Sequence, residues 1–272
     1  PAPLPAAAAG RGVGVRGSKT GQADGEREER RFASGTEHVV REVAHVPCGA
    51  CGSVQFQPQG SSLVSFGTVA LHWPIDRQQG CVRVGPPQFL GPRGDGRSED
   101  RACWSLDGRL FALADGRNAQ AIVFRQDNRN EPIVLRDISR ILSLALSPDG
   151  HWAAAGTWRM SGVRIWELPS GQLVKELPPS RPDARSAAVA FSPDGQWLAV
   201  GGQTECSFWR VGSWQREWAE PLDRFGEGPA ALAFSPDGKM LAFARSPWSI
   251  ELYDPASRRE LATITAPDSQ LV

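Results

Sequence analysis

Three times in this chain an apolar run meets Ser-Pro-Asp-Gly and a second apolar run follows: "ALSPDGHWAAAGT", "AFSPDGQWLAVGG" and "AFSPDGKMLAFAR". Pro presets φ, Asp can bond the backbone ahead of it, and Gly closes the turn, so the tetrapeptide predicts a tight β-hairpin. The flanking runs are apolar at nearly every position instead of alternating, which suits strands covered on both faces. In the copy at Ser192 a third strand ("CSFWRV") and a fourth ("SWQREWAE") follow; the copy before it gives "GVRIWEL" and "LVKELP" around "PSG". Four short strands with two bare apolar faces are not stable in water, so the sheets are expected to stack on one another.

The turns at Ser147, Ser192 and Ser235 are 45 and 43 residues apart. Two worn copies precede them, "SLDG" from Ser105 and "QPQG" from Gln57, at further intervals of 42 and 48. A period of ~40–45 residues built from short strands predicts propeller blades and not a helical solenoid. The fold class is therefore all-β, with five four-stranded blades at about 52–95, 101–138, 141–183, 186–227 and 229–272. Residues 37–46 ("EHVVREVAHV") alternate and fit a closing strand. Counting them, the outer strands number six for five blades, so the blades are expected to form part of a larger ring. Residues 1–36, ending in "GEREERR", lack helical or strand periodicity and read as a disordered low-complexity tail or linker.

These repeats resemble the WD40 family over about residues 37–272. The third strand of that family ends in Trp-Asp; the matching pairs here are Trp166-Glu167, Trp209-Arg210, Tyr253-Asp254 and Phe124-Arg125, with Trp73 followed by Pro74. The aromatic is kept and the acid mostly is not. The family's Gly-His before the first strand is replaced by "RDISRILSL", "PDARSAAVAF" and "GEGPAALAF". The resemblance implies a β-propeller, most often seven-bladed, with packing carrying more of the stability than a His–Asp–Ser–Trp network. Within the family, "GTWRMSGVRIWELPSGQLVKELP" is most similar to repeats of large bacterial serine/threonine kinase–WD40 proteins, although no kinase motif occurs in this chain.

Composition narrows the function classes. Lys+Arg and Asp+Glu are both 30 in 272 residues. With zero formal charge and no basic stripe interleaved with aromatics, nucleic acid is not an expected partner. No apolar run reaches the roughly 18 residues of a membrane helix. The start "PAPLPAAAAG" lacks both a secretory signal's order and an initiating Met, so a fragment of a longer chain is expected. The compartment is left open, with the cytoplasm favoured. Five scattered Cys imply no disulfide framework.

Few motifs point to chemistry. Gly12 to Gly17 match G-x-G-x-x-G, but a Pro/Ala tail precedes them and no helix is predicted after, so no phosphate site is expected. His45, Cys48 and Cys51 have a spacing that resembles part of a zinc set, yet lack a placed fourth ligand; incidental thiols beside the first strand are the expectation, with no metal and no cofactor. The four His (His38, His45, His72 and His151) form no hydrolase constellation, and no G-x-S-x-G occurs. Asp149, Asp194 and Asp237 recur in a turn, where backbone capping explains them.

The ten Trp divide into two groups. Trp166 and Trp209 occupy the third-strand aromatic position, and Trp152 and Trp197 follow the turn, so these are packing residues. Trp158 and Trp248 fall between second and third strands, in "GTWRMSG" and "ARSPWSI", with Arg159 and Arg245 close by. In a propeller those connections gather at one face, and aromatics with Arg dominate interface energetics. The expectation is a non-catalytic scaffold with a protein partner, contacting it through Trp158, Arg159, Trp248 and Arg245, within a bacterial signalling protein. An accessory propeller of a kinase or hydrolase with its catalytic domain outside this chain is the alternative, and a spacer without a ligand is a third possibility.

Overall fold

The computed structural model describes residues 51–67, 69–78, 81–91, 102–115, 119–138, 140–157, 162–179, 187–223 and 230–265, in which every helix or strand element is a β-strand. The tail at 1–36 and the expected closing strand at 37–46 lie outside them. The first sheet contains β1 (Cys51–Phe56), β2 (Ser62–Gly67), β3 (Ala70–Gln78), β4 (Cys81–Val84) and β5 (Gln88–Gly91). The second has β6 (Ala102–Trp104), β7 (Leu110–Asp115), β8 (Gln120–Arg125) and β9 (Ile133–Leu135). The third has β10 (Ile141–Leu146), β11 (Trp152–Thr157), β12 (Val163–Glu167) and β13 (Leu173–Leu177). The fourth has β14 (Ala188–Phe191), β15 (Trp197–Gly201), β16 (Glu205–Arg210) and β17 (Arg216–Pro221). The fifth has β18 (Leu232–Phe234), β19 (Leu241–Ser246), β20 (Ser249–Asp254) and β21 (Arg259–Thr265). In the last four, each strand pairs antiparallel with the next in chain order.

Two local departures from the expected strands have simple causes. In the first sheet the outer edge is split: Ala70 to His72 pair with β5, and Ile75 to Gln78 pair with β4. Pro74 sits at the switch, where it offers no N–H to a ladder while its carbonyl accepts from Gly85 N at 2.7 Å. In the fourth sheet the outer strand starts at Arg216, not at Ser213. Trp214 has φ +53° in the turn before it and is buried against Trp152, their centroids 5.2 Å apart.

The repeated tetrapeptide forms the same hairpin four times. Ser105, Ser147, Ser192 and Ser235 donate through Oγ to the Asp two residues on at 2.5–2.6 Å. Each Asp Oδ1 accepts the backbone N–H two residues further at 3.0–3.1 Å. The same Ser Oγ accepts the N–H five residues on, from the first residue of the second strand in three copies and from Met240, just before β19, in the fourth. Gly195 closes its turn at φ +70°, where a side chain is strained. The hydrogen bonds hold the Asp149 and Asp237 carboxyls below the usual range: for Asp149 partial burial pushes upward, but Ser147 and the His151 N–H together outweigh it, and for exposed Asp237 the Ser235 hydroxyl leads. In the worn first copy Gln57 takes the place of Ser and still accepts Gly60 N at 2.8 Å.

Stacking buries both faces of the second strands. Along β11, Ala153 and Ala155 pack into the core shared with the second sheet, Ala154 into the core shared with the fourth, and all three are inaccessible to water. Third-strand aromatics Phe124, Trp166, Phe208, Trp209 and Tyr253 fill these gaps. Burying one such side chain fully stabilises by about 1.5–3 kcal/mol. Two third-strand tryptophans have hydroxyl partners: Trp73 Nε1 donates to Ser65 Oγ at 2.8 Å, and Trp209 Nε1 to Ser207 Oγ at 3.0 Å. Among the described residues the cores of the first and fifth sheets each join one neighbour only, and Phe56 and Ile264 remain 62% and 54% exposed.

A backbone seam joins consecutive sheets where the second strand ends. Ile138 N bonds Ala119 O, Ala187 N bonds Thr157 O, and Ala230 N bonds Gly202 O, at 3.0–3.2 Å. This approach leaves no room for a Cβ at Gly156, where one would lie 2.0 Å from Ala187 O. Gly156→Ala is expected to lower stability by about 2 kcal/mol or more, because backbone on both sides must shift. Urea unfolding of the variant measures this, and an unchanged midpoint would show that the seam yields freely.

Candidate functional site

The connections from second to third strands and the crossovers from outer to inner strands lie at the same end of each sheet, opposite the Ser-Asp-Gly turns. At this end the β19–β20 turn lifts Trp248 out, 66% exposed. Its backbone is fixed: Trp248 N donates to Ser246 Oγ at 3.2 Å, and the Ser246 and Ser249 hydroxyls lie 2.7 Å apart. Arg245, named from sequence as a contact group, has an internal partner. Its Nη1 donates to Glu251 Oε2 at 2.5 Å, with Glu251 buried, and that hydrogen bond raises the guanidinium's pKa further. Its carbonyl accepts Asp223 N from the incoming crossover at 2.9 Å. Arg245 thus braces the turn that carries Trp248. Trp158 and Arg159 lie outside the described residues.

Between the third and fourth sheets, the same sheet ends frame a cleft of about 130 Å³. Val163, Pro178, Pro179 and Val200 give it apolar walls, and Glu205, Ser207 and Arg216 give it a polar side. Glu205 and Ser207 are two apart on β16 and so share a face, and Arg216 reaches from β17 to place Nη2 2.8 Å from Glu205 Oε2. Glu205 Oε1 is shielded from solvent and meets no donor among the described residues. Sequence reading missed this group. The available signal was an acid opening an otherwise apolar third strand, "ECSFW".

His72 is the other buried polar centre. Arg129 Nη1 donates to Gln88 Oε1 at 2.8 Å, and the guanidinium lies 2.8 and 3.1 Å from the two ring nitrogens of His72. A neutral imidazole has one acceptor nitrogen, so one of these two approaches is a hydrogen bond and the other a contact. Burial, and then the Arg129 charge, push the His72 pKa down to about 4. The arrangement ties the first sheet to the second and presents no nucleophile.

Of the metal candidates, His45 and Cys48 lie outside the described residues and Cys51 opens β1. No three His, Cys, Asp or Glu among the described residues are grouped to hold a metal. The Cys103 thiol is pushed up to about 12 by burial, far from a reactive thiolate. No helix among the described residues is long and apolar enough to cross a membrane.

Residues 178–210 match the WD40 family model, described as WD domain, G-beta repeat. The match runs from Pro178 to the end of β16, and the five sheets are consistent with WD40 propeller blades. WD40 domains generally serve as protein-interaction scaffolds and are typically non-catalytic. The match concerns the repeat and carries no link to a kinase. A search of curated proteins gives no match to the chain.

His72 supplies a pH test of the inter-sheet contact. Its folded pKa of about 4 lies below the ordinary 6.5. Between those values the unfolded chain takes up a proton that the folded chain refuses, so stability falls as pH drops through the window. From about pH 7 to pH 4 the native chain is expected to lose roughly 2–3 kcal/mol more than a His72→Gln variant. Equal losses in urea unfolding at matched pH would show that the ring titrates normally in the fold.

Proposed function

We propose that this chain is a non-catalytic WD40-type scaffold that holds a protein partner at the sheet ends carrying the second-to-third-strand connections. The observation that carries this reading is Trp248: a large indole held in water on a short turn whose backbone and bracing arginine are fixed. An aromatic presented on a rigid frame loses little conformational freedom when a partner covers it. Trp158 and Arg159, from the corresponding connection of the third blade, belong to the same proposed surface. The resemblance of the third repeat to bacterial kinase–WD40 proteins supports a place in a signalling assembly, with any catalytic domain outside this chain.

A partner recovered by cross-linking and identified by mass spectrometry provides the test. Trp248→Ala is expected to weaken its affinity at least tenfold, and adding Trp158→Ala to weaken it further, as for truncated interface anchors worth about 2 kcal/mol or more. Circular dichroism and the thermal midpoint should stay as in the native chain. Unchanged affinity in the double variant would remove this surface as the contact site.

A further inference from the structure

We infer that the uncovered face of the fifth sheet is a homodimer interface, on which a second copy of this chain lays the same face about a two-fold axis running along the strands. The inference goes beyond the partner reading above, since it concerns a sheet face and not the loop end.

Leu241, Phe243 and Tyr253 pack into the core shared with the fourth sheet, so the side chains alternating with them point to the other side. Strand pairing sets these out in rows. Ala231, Ala244, Ile250 and Ile264 form one row, and Ala233, Ala242, Leu252 and Ala262 the next. None of them is polar, and none joins a core cluster among the described residues. Ile250 and Ile264 are 45% and 54% exposed, and Ala231, Ala233 and Ala262 are exposed as well. Covering so contiguous an apolar face is favourable.

The order of residues along each row selects the occupant. On the β18 and β19 side the face is alanine, and on β20 and β21 it rises to Ile250, Leu252 and Ile264. A half-turn about an axis along the strands reverses the strand order, so β19 of each copy meets β20 of the other and β18 meets β21. Ala244 of one copy then lies opposite Ile250 of the other, and Ala231 opposite Ile264. Small side chains receive large ones in both directions, the self-complementarity that an isologous interface requires. The gap between the third and fourth sheets is filled in the same way, with Ala145 and Ala154 against Leu198 and Trp209. An uncharged face also meets its own copy without like-charge repulsion. Four strands about 4.8 Å apart and six residues long in β19 and β20 give a face of roughly 20 by 20 Å. Two such faces bury on the order of 1,000 Å², about the least a specific interface needs, so association in the micromolar range is expected. Because the axis runs along the strands, both copies present their Trp248 turns toward the same side, where a bivalent partner can hold both.

Sedimentation velocity of the full chain from about 1 to 300 μM, the range of a weak specific complex, should move from the mass of one chain toward that of two. Ala244→Lys and Ile250→Glu each place a charge in the apolar interface and should weaken association at least tenfold, with circular dichroism and the thermal midpoint as in the native chain. Mixed one to one, the two variants should associate at least fivefold more tightly than either by itself. In the mixed pair the introduced lysine of one copy meets the introduced glutamate of the other, while the second Ala244–Ile250 contact stays native. A damaged fold gives no such recovery. Phe56→Glu, at an exposed position of the first sheet, should leave the dimer unchanged. The inference is overturned by a native chain that stays monomeric throughout the range or grows past two copies, by single variants that associate as the native chain does, by a mixture no tighter than its components, or by loss of the dimer in Phe56→Glu.

Discussion

A strand that is apolar on both faces must be covered on both, and this constraint organises the chain. β7, β11 and β15 carry almost no polar side chain, so a single four-stranded sheet would leave one of its faces wet. Stacking meets the requirement, and the core clusters occupy the successive gaps from the first sheet to the fifth. Inner-strand backbone pairs along the ladders of its own sheet, and some edge groups take side chains from the neighbouring sheet: Val189 N donates to Ser143 Oγ at 3.1 Å, and Gln55 Nε2 donates to Ala102 O at 3.0 Å. The third sheet combines small residues of its second strand with a large aromatic of its third on the face turned to the second sheet. Ala153 and Ala155 lie on the face of β11 that shares this core with Trp166 of β12.

The two ends of the sheets answer to different demands. At one end the Ser-Asp-Gly hairpins are closed by their own side chains and pack in sequence, with Pro148 beside Gly195 and Pro193 beside Gly238. That end is uniform because its chemistry is entirely local. At the other end the backbone seam fixes the crossovers, and the connections between second and third strands are free to differ. Variation there leaves the stack undisturbed, which is why Trp248 and the Glu205 cleft can be presented on a rigid frame.

Much of the architecture was legible because its determinants lie within a few residues of each other. The turn tetrapeptides, their Asp caps and the third-strand aromatics each follow from adjacent residue types. The split edge of the first sheet was not legible, since Pro74 could have ended a strand as easily as divided one. Trp214 looked like a strand residue because its apolar character hides a positive φ. At the candidate site, an exposed Trp248 could be read from its place in a variable connection. The ion pair that turns Arg245 inward depends on strand pairing six residues away, and the Arg129–His72 contact spans 57 residues. The Glu205–Arg216 pair acquires meaning only when a neighbouring sheet walls the gap. Neither local pattern nor spacing encodes such encounters.

If stacking carries the fold, the second strands should be the last part of the molecule to open, and should open together. Native-state hydrogen exchange, read by mass spectrometry on peptides covering 110–115, 152–157 and 197–201, measures this most directly. The account predicts that these three segments exchange slowest and at a common free energy, while 259–265, exposed along all of β21, exchanges among the first. Exchange of the three strands at separate, low free energies, or no slower than β21, would mean that each sheet stands by itself and would contradict the account.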